Sequence, residues 1–463
     1  MYQISETVSQ RGNAQIICEN YKFSFNYVLS SGETRWRCTL KSCKAFLLTV
    51  GEGKGRTLSS GNFQHNHVKN SDRVLQRQHL SALAKRKAVE EPYDRPSKIL
   101  CSVLQSDSEN IKLSDLKCIK ENMYAARRKL LPALPTNIIE VQEALESLQP
   151  KTNKNEHFLL QNSLENNIVI FSTKTNMQCL CNSEILYMDG TFDYCTKYFL
   201  QLFTIHGFYN GHYIPLVFCL LKDKSELSYK KCFEMLLQHI SKNGYMLNPK
   251  SVVADYEKAI HNAARYVWPD CQILGCRFHL TQAWWRKIQQ LGLTSEYKNK
   301  NSEIGQWLGY CFGLLFLNPE TVSDFFVFEL CAFQPQNEKL QKFADYLVDN
   351  YISEEAHFPP EMWASNSAAL NLTTNACESF HSRLNNSFYQ SHPSLFVFVD
   401  TLLNIQTEIY VKINSIGEPY KYQNAYSKQR QMYLNKHISN FQNGTITTLQ
   451  FVKLASHYYS NTI

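Results

Sequence analysis

Asp189, Asp255 and Glu378 are acidic residues in settings suited to phosphoryl transfer. Asp189 closes the apolar run Ile185-Leu-Tyr-Met188, and Asp255 closes Ser251-Val-Val-Ala254. Both runs read as buried strands. Glu378, within Asn375-Ala-Cys-Glu-Ser-Phe-His381, opens a helix-like segment. Phosphodiester cleavage calls for two divalent ions about 3.5–4 Å apart, one at the attacking oxygen and one at the leaving oxygen. Magnesium takes oxygen ligands, usually a few carboxylates shared with substrate phosphates. Asp189 on a central strand would bridge both ions, Asp255 would bind one, and Glu378 would reach the other. Each acid also has a local explanation. Asp189 precedes Gly190 as a turn residue would, Asp255 could cap the next helix, and Asn375 with Glu378 has capping-box spacing. Asp193, Asp223, Glu226 and Glu257 lie nearby and read as solvated or supporting groups.

A second set of ligands lies near the N-terminus. Cys38 and Cys43 are followed, after 21 residues, by His65 and His67. Two thiolates and two imidazoles make a closed tetrahedral zinc set. A module this small buries too little apolar surface to fold alone, so metal binding would contribute folding energy directly. Arg35, Arg37, Lys41, Lys44, Lys54 and Arg56 interleave with its aromatic residues, as expected for phosphate and groove contact with DNA.

The surrounding pattern supplies elements to carry both sets. Tyr21–Val28, Thr34–Cys38 and Ala45–Val50 read as strands of a β-rich module. Residues 71–150 read as a helical basic linker, with one helix ending near Arg127-Arg-Lys129 and another from Asn137 to Leu148. Lys85-Arg-Lys87 and Arg127-Arg-Lys129 are short basic clusters suited to nuclear import, phosphate contact or a solvated helix face.

From residue 183 the pattern becomes α/β. Strands are expected at Glu184–Asp189, Tyr198–Phe208 and His212–Leu221, with Asn210-Gly211 as a hairpin turn. Pro215 argues that the third of these lies at a sheet edge. Ser228 reads as the cap of a helix with apolar positions Tyr229, Cys232, Phe233, Leu236 and Ile240. Ser251–Ala254 is a short apolar run, as in a parallel strand covered on both faces. A helix from Ala259 to Trp268, a strand at Gln272–Cys276 and a helix from Leu280 to Leu291 follow. This order fits a ribonuclease-H-like mixed sheet in which the first strand lies beside the fourth. A doubly wound parallel sheet fits worse, because tight turns leave no room for crossover helices. Residues 292–370 read as a helical insertion and 411–463 as a helical tail.

The chain has 463 residues, 44% hydrophobic, enough for more than one domain and a large core. No apolar run reaches the roughly 18–20 residues of a membrane span, and Met1–Gln10 carries no signal-peptide core. Fifteen scattered cysteines point to reduced thiols and metal ligands. Residues 1–130 hold 22 Lys and Arg against 12 Asp and Glu, whereas the remainder holds 26 against 29. The basic surplus belongs to the N-terminal part and suggests a nucleic-acid partner. Neither a membrane nor a small-molecule substrate is expected.

Four motifs in order then resemble the transposase domain of Mutator-like elements, the MULE family. They are Asp189-Gly-Thr-Phe192, Asp255-Tyr-Glu-Lys-Ala259, Cys276-Arg-Phe-His279 and Asn375–His381. Phe358-Pro-Pro-Glu-Met-Trp363 and Ser391-His-Pro-Ser394 resemble that family's third-acid region. The resemblance covers residues 180–410, with the core in 180–291 and 371–410. It implies a ribonuclease-H-like fold and an Asp-Asp-Glu site. Such a site would cleave and join DNA strands with two magnesium or manganese ions at Asp189, Asp255 and Glu378. Cys276 and His279 match a conserved Cys-x-x-His element, with a structural or DNA-positioning role. Many relatives carry an arginine where this chain has Leu372.

Residues 10–68 resemble a FLYWCH zinc finger, with Phe23, Tyr27, Trp36, Cys38, Cys43 and the closing His65 and His67 in that family's order. It implies DNA or protein binding through a zinc-pinned sheet. Together these resemblances imply a nuclear, transposon-derived DNA-binding protein, compatible with a homo-oligomer on DNA. The alternative is a domesticated, catalytically inactive DNA-binding or regulatory protein that uses the finger.

Overall fold

The computed structural model describes residues 4–9, 12–105, 109–130, 132–299, 301–367, 373–388, 390–417 and 425–457. Leu372 lies outside them. The chain forms two compact units, Met1–Leu134 and Pro135–Ile463.

In the first unit, six antiparallel strands follow one another across a sheet. They are β1 (Ile4–Val8), β2 (Ala14–Cys18), β3 (Tyr21–Val28), β4 (Thr34–Cys38), β5 (Phe46–Val50) and β6 (Thr57–Asn62). β1, β2 and β6 go beyond the three expected strands, because their short mixed sequences lack a clean alternation. The sheet encloses only a small core around Ile16, Phe23, Trp36 and Leu47, with Cys38 and Cys43 among its members. Three helices follow: α1 (Asp72–Glu90), α2 (Pro96–Leu104) and α3 (Leu113–Leu130). Leu80, Ala84 and Ala88 recur every fourth residue on α1 and meet Ile99, Val103, Ile119 and Met123. The buried Asp115 accepts from Arg73 Nε (2.8 Å) and lies 3.4 Å from Arg77, tying α3 to α1. Residues 71–150 are thus divided, with α1–α3 in the first unit and α4 (Ile138–Leu148) in the second.

The second unit is built on a seven-stranded mixed sheet. Its strands are β7 (Leu159–Ser163), β8 (Ile168–Phe171), β9 (Ile185–Thr191), β10 (Gln201–Tyr209), β11 (His212–Leu221), β12 (Ser251–Ala254) and β13 (Gln272–Gly275). Their spatial order is β13-β12-β9-β10-β11-β8-β7. β9, β10 and β11 pair antiparallel, whereas β12 lies parallel to both β9 and β13. Asn210 and Gly211 both have positive φ and make the tight β10–β11 turn.

β11 is not an edge strand, because β8 pairs with its Phe218–Leu221 half. Pro215 sits beyond that pairing, opposite a register shift at Ile205/His206 of β10. Its missing N–H therefore costs no ladder bond to β8.

α5 (Lys174–Cys181), α6 (Glu226–Lys242), α7 (Lys258–Val267), α13 (Asn375–Ser387) and α14 (Leu395–Asn414) pack on the sheet, and α8 (Arg277–Gln290) leads from β13 into a second core. α6 starts earlier than expected. Its cap is Ser225, whose side chain accepts from the Ser228 N–H. Between α8 and α13 come α9 (Thr294–Lys298), α10 (Glu303–Gly313), α11 (Pro319–Asp324) and α12 (Glu338–Leu347). These build a separate core with Trp284, Trp307 and Phe312, which α15 (Ala425–Gln442) and α16 (Thr448–Ser456) complete through Leu434 and Phe451. No helix among the described residues is long and apolar enough to cross a membrane, and all fifteen cysteines are free.

Candidate functional site

Strand alternation positions the first two acids. Leu186 and Met188 of β9 enter the large core, whereas Tyr187 joins a cluster with Val253, Cys276 and Cys377. Asp189 is in phase with Tyr187 and emerges on that side. On β12, Val252 and Ala254 enter the large core and Val253 faces the other cluster, so Asp255 is in phase with it. The parallel register pairs Val253 with Tyr187. Asp189 and Asp255 each lie two residues beyond that pair.

Glu378 arrives from the first turns of α13, which packs on β9. Its helix-cap explanation does not hold. The cap is Thr374, with no side-chain cap bond, and Glu378 uses only its backbone N–H there, donating to Thr374 O at 3.0 Å. Asp255 caps no helix either, since the residue preceding α7 is Glu257. Asp189, Asp255 and Glu378 line one open cleft of about 550 Å³, together with His279, His381, Gln282 and Arg286.

One histidine lies between Asp255 and Glu378, and a second contacts Asp189. His279 Nδ1 is 3.5 Å from Asp255 Oδ1, and its Nε2 is 3.2 Å from Glu378 Oε1. His381 Nδ1 is 3.2 Å from Asp189 Oδ2, while Asp189 Oδ1 accepts from the Gly190 N–H at 2.9 Å. Behind His381 runs a buried polar line. Its Nε2 meets the Thr204 hydroxyl at 2.9 Å, and that hydroxyl meets His206 Nε2 at 3.1 Å. The Thr204 hydroxyl also donates to the Asp189 carbonyl at 3.2 Å, so it joins His206 and His381 to the backbone of Asp189.

Burial, together with the charges of Asp189 and Asp255 and against the pull of His279, raises the Glu378 carboxyl to about 7. Burial pulls His279 down, but the Cys276 sulfur and the carboxylates Asp255 and Asp189 outweigh it, raising this imidazole to about 9. Glu378 Oε1 is buried without a hydrogen bond, its contact with His279 being out of line. Crowded carboxylates and an unsatisfied buried oxygen suit a divalent cation. Three acid oxygens do not, however, converge on one point. Among the described residues only the N-terminal cluster brings three such donors within 4.8 Å.

The segment Cys276–His279 divides its work. The Cys276 sulfur accepts from Thr374, just ahead of α13. The buried Arg277 guanidinium donates to the carbonyls of Leu315, Trp363, Ser365 and Ser367 and lies over Phe316. Gly275 lets the Tyr256 ring pack against the end of β13, where a Cβ would collide with it. His381, Arg286 and Gln282 were not singled out from sequence. His381 is three residues after Glu378, the helical spacing that shares a face, and that signal could have found it.

In the first unit, Cys38 and Cys43 flank the β4–β5 turn, and His65 and His67 follow β6. Cys38 Sγ is 3.2 Å from His67 Nε2, Cys43 Sγ is 3.4 Å from His65 Nδ1, and the two imidazole nitrogens are 3.3 Å apart. A tetrahedral zinc with bonds of about 2.0–2.3 Å spaces its ligands about 3.3–3.8 Å apart, so the four residues fit the ion. His67 Nδ1 faces Val68 O at 2.9 Å, leaving Nε2 for metal. The Tyr21 ring stacks on His65 at 3.6 Å. Burial, then the His67 charge, keeps His65 below its ordinary pKa, favouring the neutral ligand.

Residues 6–67 match the FLYWCH zinc finger domain. Residues 185–283 match the MULE transposase domain. No curated protein matches the chain. The MULE match contains Asp189, Asp255, Cys276 and His279, and Glu378 lies beyond it. The FLYWCH match contains all four ligands of the Cys/His cluster, which points to a structural zinc. Together the two domains point to a transposase-derived DNA-binding protein.

Of the finger's basic residues, Arg37, Lys41 and Lys44 are exposed. Arg35 reaches the Tyr27 hydroxyl and lies over Phe46. Arg56 pairs with Glu6 at 2.6 Å and lies over Trp36, so it serves the finger itself. The Lys54 side chain lies outside the described residues.

Proposed function

We propose that the second unit is a ribonuclease-H-like Asp-Asp-Glu transposase domain and that the FLYWCH finger binds DNA, in the nucleus. One observation carries this reading. Asp189 and Asp255 leave adjacent parallel strands on one face, and Glu378 enters the same cleft from α13. A meander of three strands with a parallel fourth beside the first supports the fold assignment.

Asp189, Asp255 and Glu378 would hold magnesium or manganese. Such ions supply Lewis-acid stabilisation of the attacking and leaving oxygens of a phosphodiester. His381 orients Asp189, Cys276 fixes the start of the Glu378 helix, and Arg286 and Gln282 at the rim are placed to meet DNA phosphate.

The test is nicking of supercoiled plasmid by the full chain with magnesium or manganese. Asp189→Ala, Asp255→Ala and Glu378→Ala should each abolish it. Undiminished cleavage in these variants would sink the assignment.

A second reading rests on His279, which stands between Asp255 and Glu378 where a cation would otherwise sit. On that reading the domain is domesticated and binds DNA without cutting it. A wild-type chain that binds duplex DNA yet nicks none, at any magnesium or manganese level, would select it.

A further inference from the structure

The fold divides each of the basic clusters Lys85-Arg-Lys87 and Arg127-Arg-Lys129. Lys87 Nζ donates to Ser102 Oγ at 3.0 Å, holding α1 to α2. Arg127 donates to the carbonyls of Ala88, Glu91 and Asp94, holding α3 to the end of α1. Lys85 and Arg86 of α1 and Lys129 of α3 line a groove of about 570 Å³. The groove reaches the finger sheet, where Lys22 of β3 lines it together with Arg77 of α1.

Five cations line this groove; Arg77 lies 3.4 Å from the buried Asp115 and Arg86 3.6 Å from Glu90, which leaves a positive excess. Positive charge is crowded there. Burial, then the charge of Arg77, holds the Lys22 ammonium below its ordinary pKa. The floor is small, with Ala82 and Ala126 among its residues.

We propose that this groove takes the phosphate backbone of DNA, so that α1, α3 and the finger present one nucleic-acid surface within the first unit. The proposal rests on the DNA-binding reading of the finger. It gives the helices after the finger a share of the affinity without base readout, since phosphate contacts position rather than specify.

The test uses the full chain and a fluorescent duplex of arbitrary sequence, about 20 base pairs long, with anisotropy read from about 50 to 200 mM KCl. Lys85→Gln/Arg86→Gln/Lys129→Gln removes three groove charges. Lys117→Gln/Lys120→Gln/Arg128→Gln removes three exposed charges of α3 that do not line the groove. The groove variant should lower the log–log salt slope by about 2–3 and weaken binding more than about tenfold near 100 mM KCl. The control variant should change affinity by less than about threefold. Wild-type binding with equal effects of the two variants, or with no effect of the groove variant, overturns the groove and leaves the finger reading intact. A wild-type chain that binds no duplex at the lowest salt overturns both.

Discussion

The sulfur of Cys276 accepts two hydrogen bonds from Thr374, one from its backbone N–H and one from its hydroxyl, each at 3.1 Å. Both residues are fully buried. Cys276 joins β13 to α8, and Thr374 caps α13, so one thiol ties the sheet end beside Asp255 to the helix of Glu378. Cys276→Ala would leave two buried donors without an acceptor, at about 1–3 kcal/mol each. Cys276→Ser keeps an oxygen acceptor and should lose less. Urea denaturation of the two variants checks the order, and an alanine variant as stable as wild type would show that the clamp carries no energy.

The polar line behind Asp189 makes a separate prediction within the proposed function. Thr204→Val removes the hydroxyl between His206 and His381, and His381→Ala removes the contact to Asp189. Groups that orient a metal's ligands are typically worth about 10–100-fold in metal affinity. Manganese titration of each variant should show a loss in that range, and Thr204→Val should also lower the melting temperature of the second unit, because it leaves the buried His206 and His381 nitrogens without that partner. Unchanged affinity in both would remove His381 from the site.

Zinc should be a folding requirement of the finger. The core of that sheet is small, and two of its buried members, Cys38 and Cys43, are themselves ligands. Purified protein is expected to carry about one zinc per chain. Chelation, or Cys38→Ser, should release it and expose residues 15–68 to proteolysis while the second unit stays resistant. Elemental analysis and limited proteolysis read both outcomes, and retained stoichiometric zinc in Cys38→Ser would contradict the ligand set.

Asp115 predicts a pH dependence for the first unit. Its hydrogen bond from Arg73, helped by the backbone N–H of Lys112 and the charge of Arg77, lowers its pKa to about 2. The folded value lies below the unfolded one, near 3.9. Its stabilising contribution is therefore complete above about pH 4 and is lost as the pH falls towards 2. The stability gap between wild type and Asp115→Asn in urea melts should be constant from neutral pH to about pH 5 and close below about pH 4. A gap that persists at the acid end would mean that Asp115 acts through packing alone.

Much of the second unit was readable where one periodicity ran unbroken. His212–Leu221 and Ser251–Ala254 occupy the expected residues as β11 and β12, and Asn210-Gly211 makes the expected turn. β7 and β8 were not legible. Leu159–Ser163 is half polar, and Ile168–Phe171 is too short to show a period. Their pairing beyond β11 is also why Pro215 misled as a sign of a sheet edge. Ser228 misled in a similar way. Ser225, Asp223 and Ser228 share hydrogen bonds at the start of α6, and composition alone does not say which serine is the cap.

The sequence by itself determined the residue types and their phase. Asp189 and Asp255 had to project opposite to the side chains beside them, because a strand alternates every residue. Cys38, Cys43, His65 and His67 read as a ligand set, because two thiols and two imidazoles at that spacing in so small a module suit a tetrahedral metal. Only the tertiary structure decided which distant groups meet these. Thr374 on the Cys276 thiol, His279 between Asp255 and Glu378, and the Thr204–His381 line behind Asp189 all join segments about 100 residues or more apart or on different elements. Local periodicity fixes the face on which a side chain emerges. It carries no information on which strand lies alongside or which helix crosses above, because packing among all the elements sets those neighbours together.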